Sequence, residues 1–433
     1  MKKILILSFI LSILLISCGK QSSKDLEVLN KAGENFVVLA LSLGDYDENY
    51  VDAYFGPDSL DAIAEALGLR LDEIKSRANK NLQQIQGLNF KSDSLNYRRD
   101  FLINFYQSLL ARLEYLSGKK MTFDEESKAI YGVVAPRFDS KFYSGILSSL
   151  DSVLPKGKGS IKDRLSEFKK RFIIPENKLD TVFKTAIAKG RSQTVKFIKL
   201  PKGENFKLEF VKGKPWGAYN WFQGNSQSLI QINTDVPIYI DRPIDLACHE
   251  GYPGHHVFHS TIEREYVKKR GWAEFSIYPL FSPMSLISEG AANAGIDIAF
   301  EKKARRKFEK QVLFPLAGID TTYADKYYRV IELLGELDNA STDIARDYLD
   351  GKISKAKAKD LLINYKLQTP ERADMNIQFF EIYRSYLINY TLGQKMIENY
   401  LVKKNSKTEK EKWQEFYKLL KRPPIPKELL TNE

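Results

Sequence analysis

Apolar residues recur at intervals of three and four along most of the first half of the chain. This spacing places apolar side chains on one face of a helix. Glycine and proline residues interrupt it, as at Gly56-Pro57 and Pro175. The clearest segments are ENFVVLALSL, LDAIAEALGL, RRDFLINFYQSLLARLEYL, FYSGILSSLDSVL and LDTVFKTAIAKGRSQTVKFI. The pattern predicts a helical N-terminal region over residues 26–198.

The pattern changes between residues 200 and 240. FKLEFV, GAYNWFQ and SLIQINTDV are short, aromatic and β-branched, and glycine-containing turns separate them. We expect three antiparallel strands. Helical spacing then resumes, most clearly in KYYRVIELLGELDNASTDIARDYLDG and QFFEIYRSYLINYTLGQKMIENYL. The prediction is a mainly α protein with a small antiparallel β-sheet, whose second region spans residues 199–433.

The N-terminus has the layout of a secretory signal. Two lysines precede an apolar run from Ile4 to Ser17 that is short for a membrane span. The run ends in Leu-Ile-Ser-Cys, which resembles a bacterial lipobox, where cleavage precedes a lipid-bearing cysteine. The resemblance implies a signal peptide over 1–17, lipidation at Cys18 and a polar tether over 18–25. Two or more acyl chains give stable anchoring.

The expected location is therefore that of an exported bacterial lipoprotein, anchored to a membrane through Cys18 on the periplasmic or cell-surface side. An uncleaved anchor helix with an incidental cysteine is the alternative. The only other cysteine is Cys248, so a disulfide scaffold is excluded.

Composition and charge narrow the class of protein further. The chain has 433 residues, 43% of them hydrophobic and 28% charged, which is typical of a globular protein. The net charge of +11 is spread along the chain, with KKARRK at 302–307 the densest cluster. We interpret that cluster as a solvated helix face, with a role above an anionic membrane as the alternative. No nucleic-acid-binding motif accompanies the charge, and we expect no nucleic-acid partner.

The four histidines of the chain all lie in one segment, ACHEGYPGHHVFHS. The segment contains His249-Glu250, the start of the zincin motif H-E-x-x-H. In that motif two histidines bind zinc and the glutamate activates a metal-bound water. We therefore predict a catalytic metal site with His249 as a ligand and Glu250 as general base and acid.

The spacing to the second histidine is longer than in that motif. On a straight helix, His255 would lie about 9 Å along the axis on another face, and His256 about 10.5 Å along it. Pro253-Gly254 makes a straight helix improbable, because proline removes a backbone donor and crowds the preceding turn. We infer a bulged or broken helix that returns one of the two histidines to the metal. Periodicity does not choose between them.

A third ligand is offered by Glu289 in ISEGAANAG, where small residues allow close approach of another backbone. Asn293 lies one helical turn after Glu289, where it could orient a metal ligand without binding the metal itself. Glu274 is the rival third ligand. We interpret His259 as a polar residue outside the metal site and Cys248 as a small buried neighbour.

HEGYPGHH followed by SEGAANAG resembles the domain of unknown function 885 (DUF885) family, which is placed near gluzincin-type zinc metallopeptidases. Its members show His-Glu-x-x-Pro-Gly-His-His, then Glu-Gly-Trp-Ala, and a C-terminal Tyr-x-x-Gly that matches Tyr390 to Gly393. The resemblance covers most of the chain after the leader. The chain departs from the family at Ala291, where tryptophan is expected, and at Arg384, where proline is expected.

The resemblance implies a zincin-like metallopeptidase architecture with one Zn²⁺ per chain. Its ligands would be His249, Glu289 and His255, with His256 as the alternative to His255, since related families use the histidine directly after the glycine. A tyrosine or arginine often stabilises the oxyanion in such sites. The candidates here are Arg384, Tyr386 and Tyr390.

We therefore expect a zinc-dependent hydrolase, a metallopeptidase that cleaves peptides outside the cytoplasm by attack of a metal-bound water activated by Glu250. The peptide would add as a strand to the edge formed by SLIQINTDV. A metal-dependent hydrolase of other amides or esters is a second hypothesis. A non-enzymatic binding lipoprotein is the third.

Overall fold

The computed structural model describes residues 2–214 and 216–430, with side chains from residue 23 onward. The described side chains do not include those of the predicted signal peptide or of residues 18–22 of the predicted tether, among them Cys18. Residues 23–25, predicted as tether, belong to a helix. Within the described chain, no helix combines the length and the apolar character needed to cross a membrane.

The described part of the chain is mainly helical, as predicted, and contains two small sheets. The helices are α1 (Lys2–Gly44), α2 (Asp58–Leu67), α3 (Leu71–Gln86), α4 (Asp93–Leu116), α5 (Phe123–Tyr131), α6 (Ser140–Val153), α7 (Ile161–Lys170), α8 (Leu179–Thr194), α9 (Arg242–Leu246), α10 (His255–Ile262), α11 (Pro283–Ala299), α12 (Lys302–Phe308), α13 (Phe314–Ala317), α14 (Ala324–Glu336), α15 (Asn339–Leu349), α16 (Lys355–Tyr365), α17 (Pro370–Tyr383), α18 (Gln394–Lys403), α19 (Glu409–Lys421) and α20 (Pro426–Leu430). The strands are β1 (Val51–Tyr54), β2 (Asn205–Val211), β3 (Ala218–Phe222), β4 (Gln227–Asn233) and β5 (Ile277–Pro279). The five helical segments predicted in the N-terminal region lie in α1, α2, α4, α6 and α8.

The chain divides into two compact units. Unit 1 comprises residues 1–119 and 266–283, and unit 2 comprises residues 120–265 and 284–433. The predicted boundary after residue 198 does not coincide with this division: residues 120–198 belong to unit 2, and residues 266–283 belong to unit 1. Within unit 1, β5 pairs antiparallel with β1, and the ring of Phe275 stacks on that of Phe101 in α4 at 4.6 Å.

The sheet of unit 2 is mixed, so the prediction of three antiparallel strands is wrong for β2. The strand order is β2-β4-β3, with β3 antiparallel and β2 parallel to β4. The chain reaches β3 from β2 by crossing the end of β4, where the Asn233 side chain donates to the carbonyls of Lys214 and Trp216. The segment SLIQINTDV therefore supplies the central strand rather than the predicted edge, and β3 lies at an edge.

The turn between β3 and β4 is fixed from a neighbouring helical segment. Asn225 and Ser226 both have positive φ, of 52° and 56°, a region that ordinary residues seldom adopt. Their backbone N–H groups donate to the buried carboxylate of Glu263, at 2.6 and 2.9 Å. This carboxylate ties the hairpin to the end of α10.

Glu274, the rival third ligand, is committed to an ion pair inside unit 1. Its carboxylate accepts two hydrogen bonds from Arg98, at 2.6 and 3.0 Å. The two side chains are 2% and 0% exposed. Because both charges have lost their water, each is compensated only by the other and by nearby polar groups.

Replacing Glu274 by Ala should therefore destabilise unit 1 by about 3–5 kcal/mol, because it strands a buried guanidinium. Thermal and urea unfolding followed by circular dichroism would measure this. Asp72→Ala, which removes an exposed partner of Arg70, is the control and should change stability little. Equal effects of the two changes would contradict the account.

Candidate metal centre

The helix that carries His249 is interrupted, as predicted. After α9 the chain forms a π-helical turn over Ala247–Gly251, and α10 begins only at His255. In the bend, the N–H of Gly254 donates to the carbonyl of Cys248 at 2.8 Å. A side chain at position 254 would place its Cβ 1.9 Å from the carbonyl oxygen of His249. Only glycine permits this close return of the backbone.

The bend brings His249 and His255 together with Glu289 from α11. The Nε2 atoms of His249 and His255 lie 3.1 Å apart. The Glu289 carboxylate lies 3.3 Å from His249 Nε2 through Oε2 and 3.6 Å from His255 Nε2 through Oε1. Zinc bonds of 2.0–2.2 Å in a tetrahedral arrangement place donor atoms about 3.3 Å apart. The spacing of the two Nε2 atoms and their distances to the Glu289 carboxylate are thus close to this value.

The unsatisfied hydrogen bonding of Glu289 also fits a cation. Its Oε1 accepts a hydrogen bond from the hydroxyl of Tyr386 at 2.7 Å. Its Oε2 is buried and faces His249 Nε2 at 3.3 Å. A buried carboxylate oxygen is unfavourable unless a cation compensates it, which here would be a protonated imidazole or a metal ion. Within the described chain, His249, His255 and Glu289 form the set of donors close enough to share one metal ion.

His256 has partners other than the metal set. Its Nδ1 lies 2.8 Å from the hydroxyl of Ser228, and its Nε2 lies 3.1 Å from the carboxylate of Glu204. The structure thus brings His255 to the triad and places His256 behind it. Helical periodicity could not distinguish them, because their positions depend on the path of the bend.

Hydrogen bonds orient both imidazoles of the triad. Asn293 donates through Nδ2 to the carbonyl of Tyr390 at 3.1 Å, which leaves its Oδ1 facing His249 Nδ1 at 2.9 Å. Since Oδ1 can only accept, His249 Nδ1 carries a proton and Nε2 faces the other two donors. His255 Nδ1 lies 3.1 Å from the hydroxyl of Ser288. Asn293 was among the predicted site residues, and Ser288, next to Glu289, was missed.

Glu250 is buried beside the triad with 5% of its surface exposed. Burial raises the pKa of its carboxyl above the ordinary value, opposed by the nearby imidazoles of His249 and His255. A carboxylate with a raised pKa is better able to accept and return a proton near neutrality. Asn220 of β3 donates to the Glu250 backbone carbonyl at 2.6 Å, which fixes the turn against the sheet.

The C-terminal segment meets α11 through two glycines. A Cβ on Gly290 would lie 2.4 Å from the carbonyl oxygen of Gly393, and one on Gly393 would lie 2.7 Å from that of Leu286. This contact sets Tyr390 near the metal triad. Burial, followed by the charges of Glu289 and Glu250, raises the pKa of Tyr390 well above its ordinary value, so its hydroxyl remains a hydrogen-bond donor.

The segment QFFEIYRSYLINYTLGQKMIENYL is not one helix, because α17 ends at Tyr383. Arg384 has φ 50° and ψ −124°, a strained conformation for a residue with a side chain. Its guanidinium donates to the buried carboxylate of Glu126, which also accepts from the hydroxyl of Ser385 at 2.7 Å. Arg384 thus contacts Glu126, and the break directs Tyr386 to Glu289.

The remaining candidates lie as follows. His259 is buried, and its burial, together with the nearby imidazoles of His255 and His256, lowers its pKa to about 3, so it is neutral at pH 7. Cys248 is a buried free thiol whose pKa is raised by burial. Neither residue belongs to the group of described donors close enough to share one metal ion.

Comparison with known proteins gives a fold but no family. No protein-family model matches the sequence, and no curated protein matches it. A candidate lipoprotein from Colwellia psychrerythraea is similar in structure, with 13% identity and a TM-score of 0.53 over 83% of this chain and 65% of that one. A candidate lipoprotein of unknown function from Shewanella oneidensis has 12% identity and a TM-score of 0.44 over 84% and 73% of the two chains. The present chain thus spans about two thirds of the first protein, and the likeness concerns the fold alone.

The charge of the metal-free triad leads to a pH-dependent prediction. Burial would lower the pKa of His249, but the carboxylates of Glu250 and Glu289 outweigh it and raise the pKa to about 9. Metal binding needs neutral imidazole, so zinc uptake at pH 7.5 should release a proton from His249, and this release should disappear above pH 9. Titration calorimetry in buffers of different ionisation enthalpy would measure the release.

The same shift affects the metal-free protein. Because the pKa of His249 is higher in the folded state than the ordinary 6.5, its contribution to stability is complete below pH 6.5 and is lost as the pH rises through 9.

In the calorimetric test of zinc binding, enthalpies that do not depend on the buffer at pH 7.5 would show that His249 is already neutral.

Proposed function

We propose that this protein is a zinc-dependent hydrolase, and more narrowly a metallopeptidase. The observation that carries the proposal is the cluster of His249, His255 and Glu289, whose donor atoms lie close enough together to share one metal ion. The two Nε2 atoms are 3.1 Å apart, and each lies 3.3 or 3.6 Å from a different oxygen of the Glu289 carboxylate. The second is the position of Glu250, a buried carboxylate next to that cluster. Two imidazoles and one carboxylate with a separate glutamate form the ligand set of catalytic rather than structural zinc sites.

In this proposal the residues divide the chemistry among them. Zinc bound by the triad would polarise the scissile carbonyl and acidify the attacking water. Glu250 takes the proton from that water as its oxygen bonds to the carbonyl carbon. Glu250 then returns the proton to the leaving nitrogen as the carbon–nitrogen bond breaks. Its raised pKa suits both transfers.

The two C-terminal tyrosines receive different roles. The hydroxyl of Tyr386 donates a hydrogen bond to Glu289 and so orients this metal ligand. Tyr390 is half-buried and close enough to Glu250 and Glu289 for their charges to affect it. Its protonated hydroxyl is the donor we assign to the oxyanion that develops during attack. Arg384 acts indirectly, through the turn that places Tyr386.

A peptide is the substrate that the neighbouring sheet favours. β3 lies at the edge of the sheet and is bonded to the Glu250 turn through Asn220. An extended peptide can add to such an edge through main-chain hydrogen bonds. A peptide added to this edge would have one of its peptide bonds beside Glu250. A compact amide or ester would reach the triad without contacting the edge.

The proposal extends to the family of the protein and to its location. The HEGYPGHH and SEGAANAG motifs supply the triad, which supports membership of the DUF885 family and a zincin-like architecture. The lipobox ending in Cys18 supports an exported protein anchored to a membrane by lipid, and the structurally similar protein of Colwellia psychrerythraea is itself named as a candidate lipoprotein.

The test compares metal content and peptide turnover in the full-length protein in detergent. Elemental mass spectrometry should find about one zinc per chain in the native protein. Glu289→Ala should lose it, while Glu301→Ala, an exposed glutamate just beyond α11, should not. Glu250→Gln should retain zinc and lose turnover of a peptide library by about 10²–10⁴-fold.

Absence of stoichiometric zinc after repletion would overturn the hydrolase proposal. Zinc with turnover of simple amides or esters but not of peptides would favour the second hypothesis. Ligand capture that is unaffected by Glu250→Gln, without turnover, would favour a binding lipoprotein.

Removing each tyrosine hydroxyl separates the two assigned roles. Tyr390→Phe should lower kcat by about 10²–10³-fold, as loss of an oxyanion donor does, with zinc affinity unchanged. Tyr386→Phe should instead weaken zinc binding by about 10–100-fold, as loss of a ligand's hydrogen-bond partner does. Tyr323→Phe, at an exposed ring elsewhere in unit 2, is the control. A Tyr390→Phe enzyme with native kcat would disprove its role.

A further inference from the structure

A third buried carboxylate, Glu204, lies behind the metal triad and belongs to no motif. Glu204 directly precedes β2, and its side chain is 2% exposed. Its Oε2 accepts a hydrogen bond from the hydroxyl of Tyr252 at 2.6 Å and lies 3.1 Å from His256 Nε2. Its Oε1 accepts from Arg191 Nε at 3.1 Å. One carboxylate thus joins three separate segments of unit 2.

The two contacts made by Oε2 lie on either side of the bend. Tyr252 precedes Pro253-Gly254 and His256 follows it, so Glu204 contacts both ends of the segment that returns His255 to His249. The rings of Phe206, Tyr252 and His256 also pack on one another, with centroids 5.2–5.4 Å apart. Ser228 of β4 contacts the far nitrogen of His256.

The carboxylate of Glu204 is ionised despite its burial. Burial raises its pKa, but hydrogen bonds from His256, Tyr252 and Arg191 outweigh this and lower the pKa below the ordinary value. Charge-assisted hydrogen bonds are about twice as strong as neutral ones. Such bonds are directional, and they resist both rotation of the His256 ring and displacement of the Tyr252 ring.

We propose that Glu204 is a positioning residue of the metal centre and that His256 is its anchoring partner. On this account the doubled histidine has divided roles: His255 binds the metal and His256 fixes the backbone that presents it. The inference rests on the metal site of the proposed function. It goes beyond that function by assigning roles to Glu204 and Tyr252, which neither the motif nor its spacing identified.

The rival account is that the network stabilises the fold without affecting the metal. Both accounts predict a lower unfolding temperature when the network is damaged. Only the positioning account predicts that the molecules which remain folded bind metal more weakly and in altered geometry. Zinc affinity and the visible spectrum of the cobalt-substituted protein therefore distinguish them, because the cobalt bands report coordination geometry.

The experiment uses full-length protein in detergent and compares Glu204→Gln with Glu209→Gln. Glu209 is a glutamate of β2 that is bonded to Lys207 and Gln231, away from the histidines. Zinc affinity is measured by competition with a chelator, and cobalt spectra are recorded on the same samples. Glu204→Gln should weaken zinc binding by about 10–100-fold and change the cobalt bands. Glu209→Gln should do neither.

Tyr252→Phe provides a second, milder variant in case Glu204→Gln does not fold. It keeps the ring and removes only the hydroxyl that Glu204 binds, and it should produce a smaller change in the same direction. Native zinc affinity and cobalt spectrum in the folded variants would overturn the positioning role. If the unmodified protein binds no zinc, the proposed function fails first, and that result is distinguishable from the failure of this inference alone.

Discussion

The return of the backbone between His249 and His255 is the constraint on which the rest of the site depends. Six residues of straight helix would separate these positions by about 9 Å along the axis, whereas their Nε2 atoms lie 3.1 Å apart. The chain achieves this through a π-helical turn followed by a bend in which Gly254 contacts the preceding carbonyls directly. The bend is held by its own backbone hydrogen bonds, from Tyr252 to Ala247 and from Gly254 to Cys248. It is also held by side chains of the neighbouring sheet, through Asn220 and Ser228.

The electrostatics of the site follow from bringing acidic and basic groups together away from water. Glu250 and Glu289 both act on His249, and their charges hold a proton on its imidazole up to a pH of about 9. That proton occupies the place of a cation, since the Oε2 atom of Glu289 otherwise has no partner. His259 is neutral instead, because burial and the nearby imidazoles of His255 and His256 lower its pKa. A metal ion bound by the triad would replace the proton on His249, because a ligating imidazole must be neutral.

The sequence was sufficient for what depends on local pattern and insufficient for what depends on long-range contacts. Apolar spacing predicted the helices, and Pro253-Gly254 predicted the break after Glu250. Spacing could not choose between His255 and His256, because the choice depends on Glu204 and Ser228, which lie in other elements. Alternation predicted three strands but not their order, which depends on a connection that crosses the end of β4. The break at Arg384 was also missed, because its cause is Glu126, 258 residues away.

Five of the buried carboxylates of unit 2 fall into two groups. Glu250 and Glu289 are at the proposed centre of chemistry. Glu126, Glu204 and Glu263 instead accept hydrogen bonds from segments whose backbone is irregular: the turn at Arg384, the bend around Gly254 and the hairpin at Asn225. An irregular segment leaves donors that no helix or strand satisfies, and a carboxylate can accept several of them at once. Each of the three fixes a segment that contributes a residue to the site or packs against it. On this account the geometry of the triad depends partly on acidic residues outside it, which accept hydrogen bonds from the protein.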